Sequence, residues 1–321
     1  MPKLTVALGD YPHVNALLEG RTPVPGYEIE PVEVRPIIAA YRRMIRDLEF
    51  DVCELAPVSY AMAREAGVPI TAIPVFINRK FHHADIQCGP GSSVSAPKDL
   101  DGRRVGVRAY SVSTGVWGRG VLSEDYGVDI GSITWVVDDE DHVEGHVPSN
   151  VEHVTDDRSL GELLARDELA AAFTGNAGTG RAGKPTAGWE APSSSDGETY
   201  PLFPDHDVIE RDWYLRTGIY PLHSVIVVRN ELIEADPDLP TKLYDAFVAS
   251  KDQQVAADPT WSSVPRLAKQ SKKVGGDPIP YGIESNRPSI DAMLRFGVEQ
   301  GLLDHAPEAE ALFADGDYAD R

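Results

Sequence analysis

Strands and helices alternate along the first eighty residues, and this alternation constrains the fold more than any other feature. Short apolar segments typical of buried strands are separated by segments whose apolar residues recur at helical spacing. The predicted strands are Leu4–Leu8, Tyr27–Val34, Phe50–Leu55 and Ile70–Phe76, and the predicted helices are His13–Leu18, Ile37–Leu48 and Val58–Ala66. Short connections through helices predict an α/β fold with a mainly parallel sheet.

A second alternating region begins near Asp99 and has the same character. Its predicted strands are Arg104–Val107, Ile133–Val137 and Leu169–Phe173, and its predicted helices are Ser111–Tyr126 and Leu160–Ala165. The segment Gly175–Gly197 is rich in small residues and proline, which predicts a long mobile loop. Two further helices are predicted at Pro240–Ala257 and Ile290–Gln300.

The stretch RTGIYPLHSVIVV, Arg216–Val228, leads from polar residues into an apolar run. The run Val225–Val228 predicts a strand that is buried on both faces. The polar residues before it would lie at a strand end, where open α/β sheets bind ligands. A core strand after an ordinary loop explains the same residues equally well.

These elements predict a two-lobed clamshell of α/β lobes. Residues 1–90 and 222–321 would form the first lobe and residues 91–221 an inserted second lobe. Two crossover segments would join them, near residues 85–95 and 205–228. A cleft between the lobes is the expected ligand site, since small-molecule sites tend to lie at domain interfaces.

The chain is strongly acidic, with a net charge of −21 from 30 basic and 51 acidic residues. Only 9 of the basic residues are lysines and 21 are arginines. Abundant carboxylates with scarce lysine are typical of proteins that work in high salt, so we expect a halophilic protein. The charge argues against nucleic-acid binding, which requires a basic face.

The remaining composition favours a soluble protein without disulfides. Cys53 and Cys88 lie in or beside apolar segments and are expected to be buried free thiols. The N-terminus leads directly into a strand without a signal-peptide pattern, and no run of about 18 apolar residues predicts a membrane span. A cytoplasmic protein, monomeric or homo-oligomeric, is expected.

No pattern predicts a dedicated metal or nucleotide site. His82 and His83 are adjacent and would face opposite ways in an extended segment, and His142, His146 and His153 are scattered in an acidic region. The sequence lacks HExxH, a Walker loop, GxGxxG after a strand and GxSxG. No cofactor is expected, although the histidines leave a divalent metal open.

Several arginines follow or precede predicted strands, where they would face a ligand. Arg79, Arg108 and Arg216 lie at such positions, and Arg287 lies in YGIESNR. Arginine can hold a carboxylate through two parallel hydrogen bonds. The start of the helix Ser111–Tyr126, which includes Thr114, offers N–H groups that bind anions. For each arginine taken singly, a surface ion pair is the alternative.

Several segments resemble the 4,5-dihydroxyphthalate decarboxylase family. They include VRAYSVSTGVWGRGVLSEDYGV, LFPDHDVIERDWYLRTGIYPLHSVIVVRNEL and PYGIESNRPSIDAMLRFGVEQGL, with ALGDY and FDVCELAPVSYAMAREAG nearer the N-terminus. The resemblance implies a type II periplasmic-binding-protein-like fold. Two departures, Asp167–Ala171 before the long loop and His82 where relatives often carry Arg, suggest that the substrate differs from the one in the family's name.

The family resemblance implies non-oxidative decarboxylation of a hydroxylated aromatic carboxylate such as 4,5-dihydroxyphthalate, giving a dihydroxybenzoate and CO2. The alternative is a non-catalytic substrate-binding protein of a transporter, or a cytoplasmic sensor for a small anion. Under the decarboxylase hypothesis the catalytic candidates are His223, His83 and Glu284. The substrate-binding candidates are Asp10, Arg79, His82, Arg108, Tyr110, Thr114, Trp117, Arg216, Tyr281, Asn286 and Arg287.

The acidic composition generates a prediction about salt. Between about 0.1 M and multimolar salt the Debye length falls from about 10 Å to below about 3 Å, so repulsion among surface carboxylates is screened. We expect the melting temperature, measured by calorimetry, to rise along this series. A melting temperature that does not change with salt would contradict the halophilic interpretation.

Overall fold

The computed structural model describes residues 1–145, 147–156, 158–179 and 198–320. The chain divides into two compact units. The first comprises Met1–Lys80, Trp213–Ala292 and Pro307–Arg321, and the second comprises Phe81–Asp212 and Met293–Ala306. The predicted lobes placed their boundaries at 90 and 222, so residues 81–90, 213–221 and 293–306 belong to different units from those expected.

The first unit is built on a sheet that has five strands among the described residues, in the order β2-β1-β3-β11-β4. The strands are β1 (Lys3–Ala7), β2 (Glu28–Pro31), β3 (Val52–Leu55), β4 (Ile70–Arg79) and β11 (Leu222–Arg229). β1 runs parallel to β2 and β3, whereas β11 is antiparallel to β3 and β4. β1, β3 and β4 therefore end, and β11 begins, at one edge of the sheet.

Helices cover the faces of this sheet. They are α1 (Asn15–Leu18), α2 (Ile38–Asp47), α3 (Pro57–Glu65), α7 (Asn230–Ala235), α8 (Leu239–Ala257) and α9 (Pro265–Val274). The core joins Val52, Ile226 and Val228 of the sheet to Leu243 and Phe247 of α8. α2 presents one apolar face, and burying such a stripe is the main source of stability for a helix of this length.

The second unit contains a sheet in the order β10-β5-β9-β6-β7-β8. The strands are β5 (Ile86–Cys88), β6 (Arg104–Gly106), β7 (Thr134–Val137), β8 (Val151–His153), β9 (Ala171–Phe173) and β10 (Tyr200–Pro201). β6 runs parallel to β7 and β9, and β7 to β8, whereas β5 is antiparallel to β9 and β10.

The helices of the second unit are α4 (Ser113–Tyr126) and α5 (Leu160–Ala165). α5 begins with a capping box in which Ser159 and Glu162 satisfy each other's backbone N–H groups. A side chain at Gly118 or Gly120 of α4 would collide with Phe173 or Phe296. α4 therefore depends on glycine for close packing within this unit.

Two more helices cross the boundaries between the units along the chain. They are α6 (His206–Thr217), which passes the boundary at Trp213, and α10 (Arg287–Glu299), which passes it at Met293. In the described part of the chain, no helix combines the length and the apolar character that a membrane span requires.

The α/β prediction is confirmed, and the strand and helix positions predicted in the first eighty residues agree within a few residues. The sheets are mixed rather than mainly parallel, because β11 in the first and β5 and β10 in the second run against their neighbours. Val105 and Val225 lie in different sheets, as a two-lobed fold requires. Of the predicted loop 175–197, residues 180–197 lie outside the described residues.

Candidate functional site

Polar residues collect where β1, β3 and β4 end and β11 begins, at what we call the first edge. Its members are Gly9, Asp10, Tyr11, Glu54, Asn78, Arg79, His223 and Ser224. Open α/β sheets bind ligands outside the carboxyl ends of their strands. The first edge is therefore a candidate functional site.

Glu54 is the most unusual member of the first edge, because its carboxyl group is fully buried. Its Oε2 accepts a hydrogen bond from the Gly9 N–H at 2.9 Å. Its Oε1 accepts from the hydroxyls of Tyr11 at 2.9 Å and Tyr41 at 2.8 Å. Burial raises the pKa of Glu54, and these hydrogen bonds oppose the rise. A carboxyl group in such a place can hold a proton nearer neutral pH than usual.

Sequence reasoning missed Glu54. The available signal was an acidic residue inside the apolar strand VCEL. All four residues of this strand are buried, so it has no solvent-facing side. A carboxylate in such a strand must be hydrogen-bonded, since an isolated buried charge is very costly. Tyr11, whose side chain is only partly buried, links this buried group to the outer part of the first edge.

His13 is a second buried titratable group near the first edge that the sequence did not single out. Its Nε2 lies 2.9 Å from the carbonyl oxygen of Ile77. Its ring lies 5.6 Å from that of Tyr11 and makes an edge contact with Trp261 at 5.9 Å. Burial lowers its pKa to about 4, so the imidazole is neutral at pH 7.

Arg79, predicted to clamp a carboxylate, is the last residue of β4 and is fully buried. It donates to the Asn286 side-chain oxygen, the Tyr220 carbonyl and, at 3.3 Å, the Ser289 hydroxyl. Its guanidinium lies 4.2 Å from the centre of the Tyr220 ring. Burial lowers its pKa to about 10, which leaves it charged at neutral pH. These contacts hold the end of β4 to the start of α10, with Asn286 as a structural partner.

Three other predicted residues of the first unit are more accessible. His223 is partly buried near the start of β11, and Asp10 is exposed beyond the end of β1. Arg216 is exposed in the last turn of α6, where the sequence predicted a loop. A cation there complements the negative end of the helix dipole.

The remaining candidates of the first unit lie elsewhere. Tyr281 is buried in the core, with the Lys251 ammonium 4.5 Å from its ring centre. Glu284 is 67% exposed and pairs with Arg287, whose Nε lies 3.2 and 3.1 Å from the two carboxylate oxygens. Arg287 also contacts Glu310. The hydrogen bond from Arg287 to Glu284 lowers the pKa of the Glu284 carboxyl group. This is a surface ion network.

The second unit has its own edge, at the ends of β6, β7 and β9 and the start of β5. Arg108 follows β6 and forms a buried ion pair with Asp139, with Nη1 and Oδ2 2.9 Å apart. Its Nε donates to the Asn176 carbonyl at 2.9 Å. The charge of Arg108 is therefore already compensated by a carboxylate of its own unit.

His82 and His83 are both buried at this second edge. The Nδ1 of His82 lies 2.8 Å from Asp85, whereas the ring of His83 makes an edge contact with Phe203 at 5.5 Å. The expectation that the two rings face opposite ways applied to an extended segment, whereas His83 begins a short 3₁₀ turn, His83–Asp85.

The start of α4 completes the second edge. Thr114 lies in the first helical turn, and Trp117 packs edge-on against Phe296 at 5.7 Å in the interior. The ring of Tyr110, in the segment before α4, lies 3.9 Å from the guanidinium carbon of Arg119. Arg119 was not predicted, because an arginine inside the glycine-rich helix VWGRGVL is read as solvent-facing.

Histidine and cysteine positions bear on the metal question. Cys53 and Cys88 are free and buried, and burial raises the pKa of both thiols. His142 is buried and His153 exposed, while His146 lies outside the described residues. Within the described ranges no cluster of three or more His, Cys, Asp or Glu side chains could hold a metal ion.

Comparison with curated proteins gives two relatives named 4,5-dihydroxyphthalate decarboxylase. The protein from Comamonas testosteroni is 28% identical over 97% of this chain and 96% of its own. The protein from Pseudomonas putida is 31% identical over 52% of this chain and 68% of its own. No protein-family model matches the sequence.

Comparison with solved structures gives proteins of the periplasmic-binding-protein fold. The aliphatic sulphonate-binding protein SsuA from Escherichia coli has a TM-score of 0.52 at 11% identity, covering 98% of both chains. A Candida albicans protein with the generic periplasmic binding protein fold has a TM-score of 0.51 at 15% identity, covering 99% of both. The desulfurization enzyme DSZB has a TM-score of 0.50 at 14% identity, covering 98% of this chain and 96% of its own. The predicted fold class is confirmed.

The buried His13 generates a prediction about acid stability. Its pKa is about 4 in the folded protein and 6.5 as a model value, so below pH 6.5 the unfolded chain binds a proton that the folded protein does not. The stability present above pH 6.5 should fall by roughly 2–3 kcal/mol between about pH 7 and about pH 4.5. Urea unfolding at constant high salt measures this loss.

His13→Gln is the matched control, since its amide can still donate to the Ile77 carbonyl without titrating. We expect the acid-dependent loss to be smaller in this variant by the amount that His13 contributes. Glu54, whose raised pKa acts with the opposite sign, is present in both proteins and cancels in the difference. Equal losses in the two proteins would show that His13 does not titrate as described.

Proposed function

Because this chain belongs to the 4,5-dihydroxyphthalate decarboxylase family, we propose that it decarboxylates a hydroxylated aromatic carboxylate. The proposed reaction converts a substrate such as 4,5-dihydroxyphthalate to a dihydroxybenzoate and CO2 without oxidation. The observation that carries the proposal is the similarity to the Comamonas testosteroni decarboxylase along nearly the whole of both chains. The buried, raised-pKa Glu54 supports an enzyme, since perturbed carboxyl groups are concentrated at functional sites.

The chemistry requires a proton donor and a way to enrich the ring in electrons. The bond between the ring carbon and the carboxylate breaks, the carboxylate leaves as CO2, and its bonding electron pair stays on the ring carbon. That carbon takes a proton. A ring hydroxyl para to the carboxylate supplies electrons as it ionises, so a group that accepts the phenolic proton assists the reaction.

We assign the proton donor to His223. Histidine exchanges protons near neutral pH, and His223 is partly buried at the start of β11, on the first edge. Glu54 and Tyr11 are the proposed partners of the ring hydroxyl, in place of the surface-paired Glu284, because the Glu54–Tyr11 hydrogen bond lies on the same edge. Asp10, exposed beyond the end of β1, stays a prediction for substrate binding, and Arg79 holds the edge by its hydrogen bonds.

Thr114, in the first turn of α4, stays a prediction for binding a substrate carboxylate. The helix begins without a side-chain cap and without an acidic residue in its first turn. Helix starts of this kind favour anions. Arg108 is less suited to the role because Asp139 already neutralises it. His83, Arg216 and Arg287 stay predictions for the site.

The second candidate function is a binding protein without chemistry. The fold similarity to SsuA favours it, since that protein is described as a periplasmic sulphonate-binding protein. Fold alone does not decide between these functions, because one scaffold carries many activities.

A direct assay tests the proposed function. We expect purified protein in multimolar salt to release one CO2 for each 4,5-dihydroxyphthalate consumed, with a dihydroxybenzoate as the product. Released CO2 is captured and counted, and the product is identified by chromatography. Saturable binding of the same compound with no CO2 release would favour the binding protein.

Substitution of His223 separates a catalytic from a structural histidine. We expect His223→Ala to lower turnover by about 10²–10⁴-fold, the usual share of general acid catalysis, while ligand affinity and melting temperature stay near those of the original protein. Steady-state kinetics, calorimetric binding and thermal unfolding measure the three quantities.

His83→Ala is the matched control, because His83 is also a histidine at a sheet edge but packs against Phe203. We expect it to change turnover much less than His223→Ala. A folded His223→Ala protein with normal turnover would remove His223 from the mechanism. A large loss in His83→Ala alone would transfer the role of the acid to His83.

A further inference from the structure

The buried Glu54 carboxyl group receives two tyrosine hydroxyls on one oxygen, and the two tyrosines have different surroundings. Tyr11 and Tyr41 both donate to Oε1, at 2.9 and 2.8 Å, while Oε2 accepts from the Gly9 N–H. Tyr41 is buried in α2, whereas Tyr11 is partly exposed in the segment after β1. A buried carboxylate requires hydrogen-bond donors, but it does not require that one of them be exposed.

Glu54 has no exposed surface, so a ligand on the first edge does not contact it directly. Of the two tyrosines that donate to it, Tyr11 is the one that is partly exposed. A tyrosine hydroxyl donates one hydrogen bond and can accept another at the same time. Tyr11 is therefore the group through which a ligand and the carboxylate can exchange a proton.

Gly9 gives the Tyr11 ring its access to the carboxylate. A Cβ atom at position 9 would lie 2.7 Å from Cε2, 2.8 Å from Cζ and 2.9 Å from the hydroxyl oxygen of Tyr11. A larger residue would therefore displace the ring, since these distances are shorter than van der Waals contact. The missing side chain of Gly9 and its donated N–H both serve Glu54.

Both tyrosines keep their protons at neutral pH. Burial raises the pKa of Tyr11 well above its usual value, and Glu54 raises it further, whereas Arg266 and the Asn78 side chain lower it. Burial and the same carboxylate raise the pKa of Tyr41 well above its usual value. Because Tyr11 is not ionised, it can accept a proton only by passing its own proton to Glu54.

The neighbours of Glu54 leave it as the base of this group. Burial raises the pKa of the Glu54 carboxyl group, and four hydrogen-bond donors lower it, namely Gly9, Tyr41, Tyr11 and Ser224. Burial also raises the pKa of the Cys53 thiol, which lies beside Glu54 on β3. Burial lowers the pKa of His13, whose ring lies 5.6 Å from that of Tyr11, to about 4. Arg266 of α9 adds a fixed positive charge near Tyr11. Of these titratable side chains, Glu54 is the one whose titration moves toward neutral pH.

We propose that Tyr11 relays the phenolic proton of the substrate to Glu54, and that Tyr41 is the positioning residue that holds Glu54 Oε1 for this transfer. The O–H bond of the ring hydroxyl breaks and its proton joins the Tyr11 oxygen, while the proton of Tyr11 joins Oε1. The negative charge thereby moves from the carboxylate to the ring oxygen. After CO2 has left and the ring carbon holds its new proton, the relay returns the proton to the ring oxygen. This inference rests on the proposed function and restricts its substrate to a phenol whose hydroxyl reaches Tyr11.

Binding of 4-nitrocatechol tests the relay without turnover, because an ionised nitrophenol absorbs at a longer wavelength than the neutral form. At a pH at which the free compound is neutral, we expect the original protein to bind the ionised form. In Glu54→Gln and Tyr11→Phe the ratio of ionised to neutral bound compound should fall at least about tenfold, the scale of one hydrogen bond to a charged group. Gly9→Ala keeps the Tyr11 hydroxyl but displaces its ring, and we expect the same fall. Thermal unfolding shows which variants are folded.

Tyr41→Phe separates positioning from transfer, because it removes a donor to the carboxylate and leaves the path through Tyr11. The protonated carboxyl group of Glu54 has an infrared C=O band that Glu54→Gln lacks, so difference spectra across a pH series follow its titration. We expect the midpoint to rise by at least about one pH unit in Tyr41→Phe, since the ionised carboxylate loses a hydrogen bond. The bound 4-nitrocatechol should stay ionised in this variant.

Tyr244→Phe is the matched control for Tyr41→Phe. Tyr244 is a buried tyrosine of the same unit, and its hydroxyl donates to the Ala319 carbonyl rather than to a carboxylate. We expect its infrared midpoint and its binding of 4-nitrocatechol to match those of the original protein. In an active protein, the acidic limb of the kcat/KM pH profile should move in Tyr41→Phe by the same shift as the infrared midpoint.

The outcomes separate the relay from the proposed reaction, since neither probe binding nor infrared titration requires CO2 release. Ionised binding that depends on Glu54 and Tyr11 supports the relay, whether or not 4,5-dihydroxyphthalate is decarboxylated. Neutral binding by the original protein, or no binding, overturns it. Ionised binding to folded Glu54→Gln also overturns it, because another group then takes the proton. An unchanged infrared midpoint in folded Tyr41→Phe overturns the positioning role of Tyr41.

Discussion

The first unit depends on the antiparallel insertion of β11 between β3 and β4. β11 pairs with both neighbours and contributes the fully buried Ile226, Val227 and Val228, so its apolar run satisfies its backbone within the sheet and its side chains within the core. The direction of β11 brings its polar start to the edge where β1, β3 and β4 end. An insertion in the parallel direction would place His223 and Ser224 at the opposite edge, away from Glu54 and Arg79.

Buried charge is distributed differently in the two units. In the first, Glu54 accepts hydrogen bonds from Gly9 and Tyr11, which follow β1, and from Tyr41 of α2. In the second, Arg108 and Asp139 neutralise each other, while Arg119 depends on neutral oxygens and aromatic rings. Unneutralised buried groups cost stability, and proteins retain such costs mainly at functional sites. Glu54, Arg79 and Arg119 are buried in this way.

The sequence predicted the fold better than the site, for a physical reason. Elements such as β3, α3 and α5 follow from local periodicity and capping, which are visible in a short window. The helix α6 was missed because His206–Thr217 has little amphipathic character, and Arg216 was therefore placed in a loop. Site residues depend on long-range partners: the distance between Glu54 and Tyr11, or between Arg119 and Gln300, follows only from tertiary packing. Glu284 and Arg287 were singled out by motif, yet three-residue spacing on a helix start also suits a surface pair.

The acidic protein and the proposed carboxylate ligand are both negatively charged. Their mutual repulsion limits where the groups that bind the ligand can lie. A chain of net charge −21 repels an aromatic dicarboxylate at low ionic strength. In multimolar salt the Debye length falls below about 3 Å, so charges on the surface act only at contact distance. An exposed arginine such as Arg216 would then lose most of its long-range attraction. Charged groups in the interior are screened by salt much less. We therefore expect the groups that hold the proposed carboxylate substrate to lie in the interior rather than on the surface.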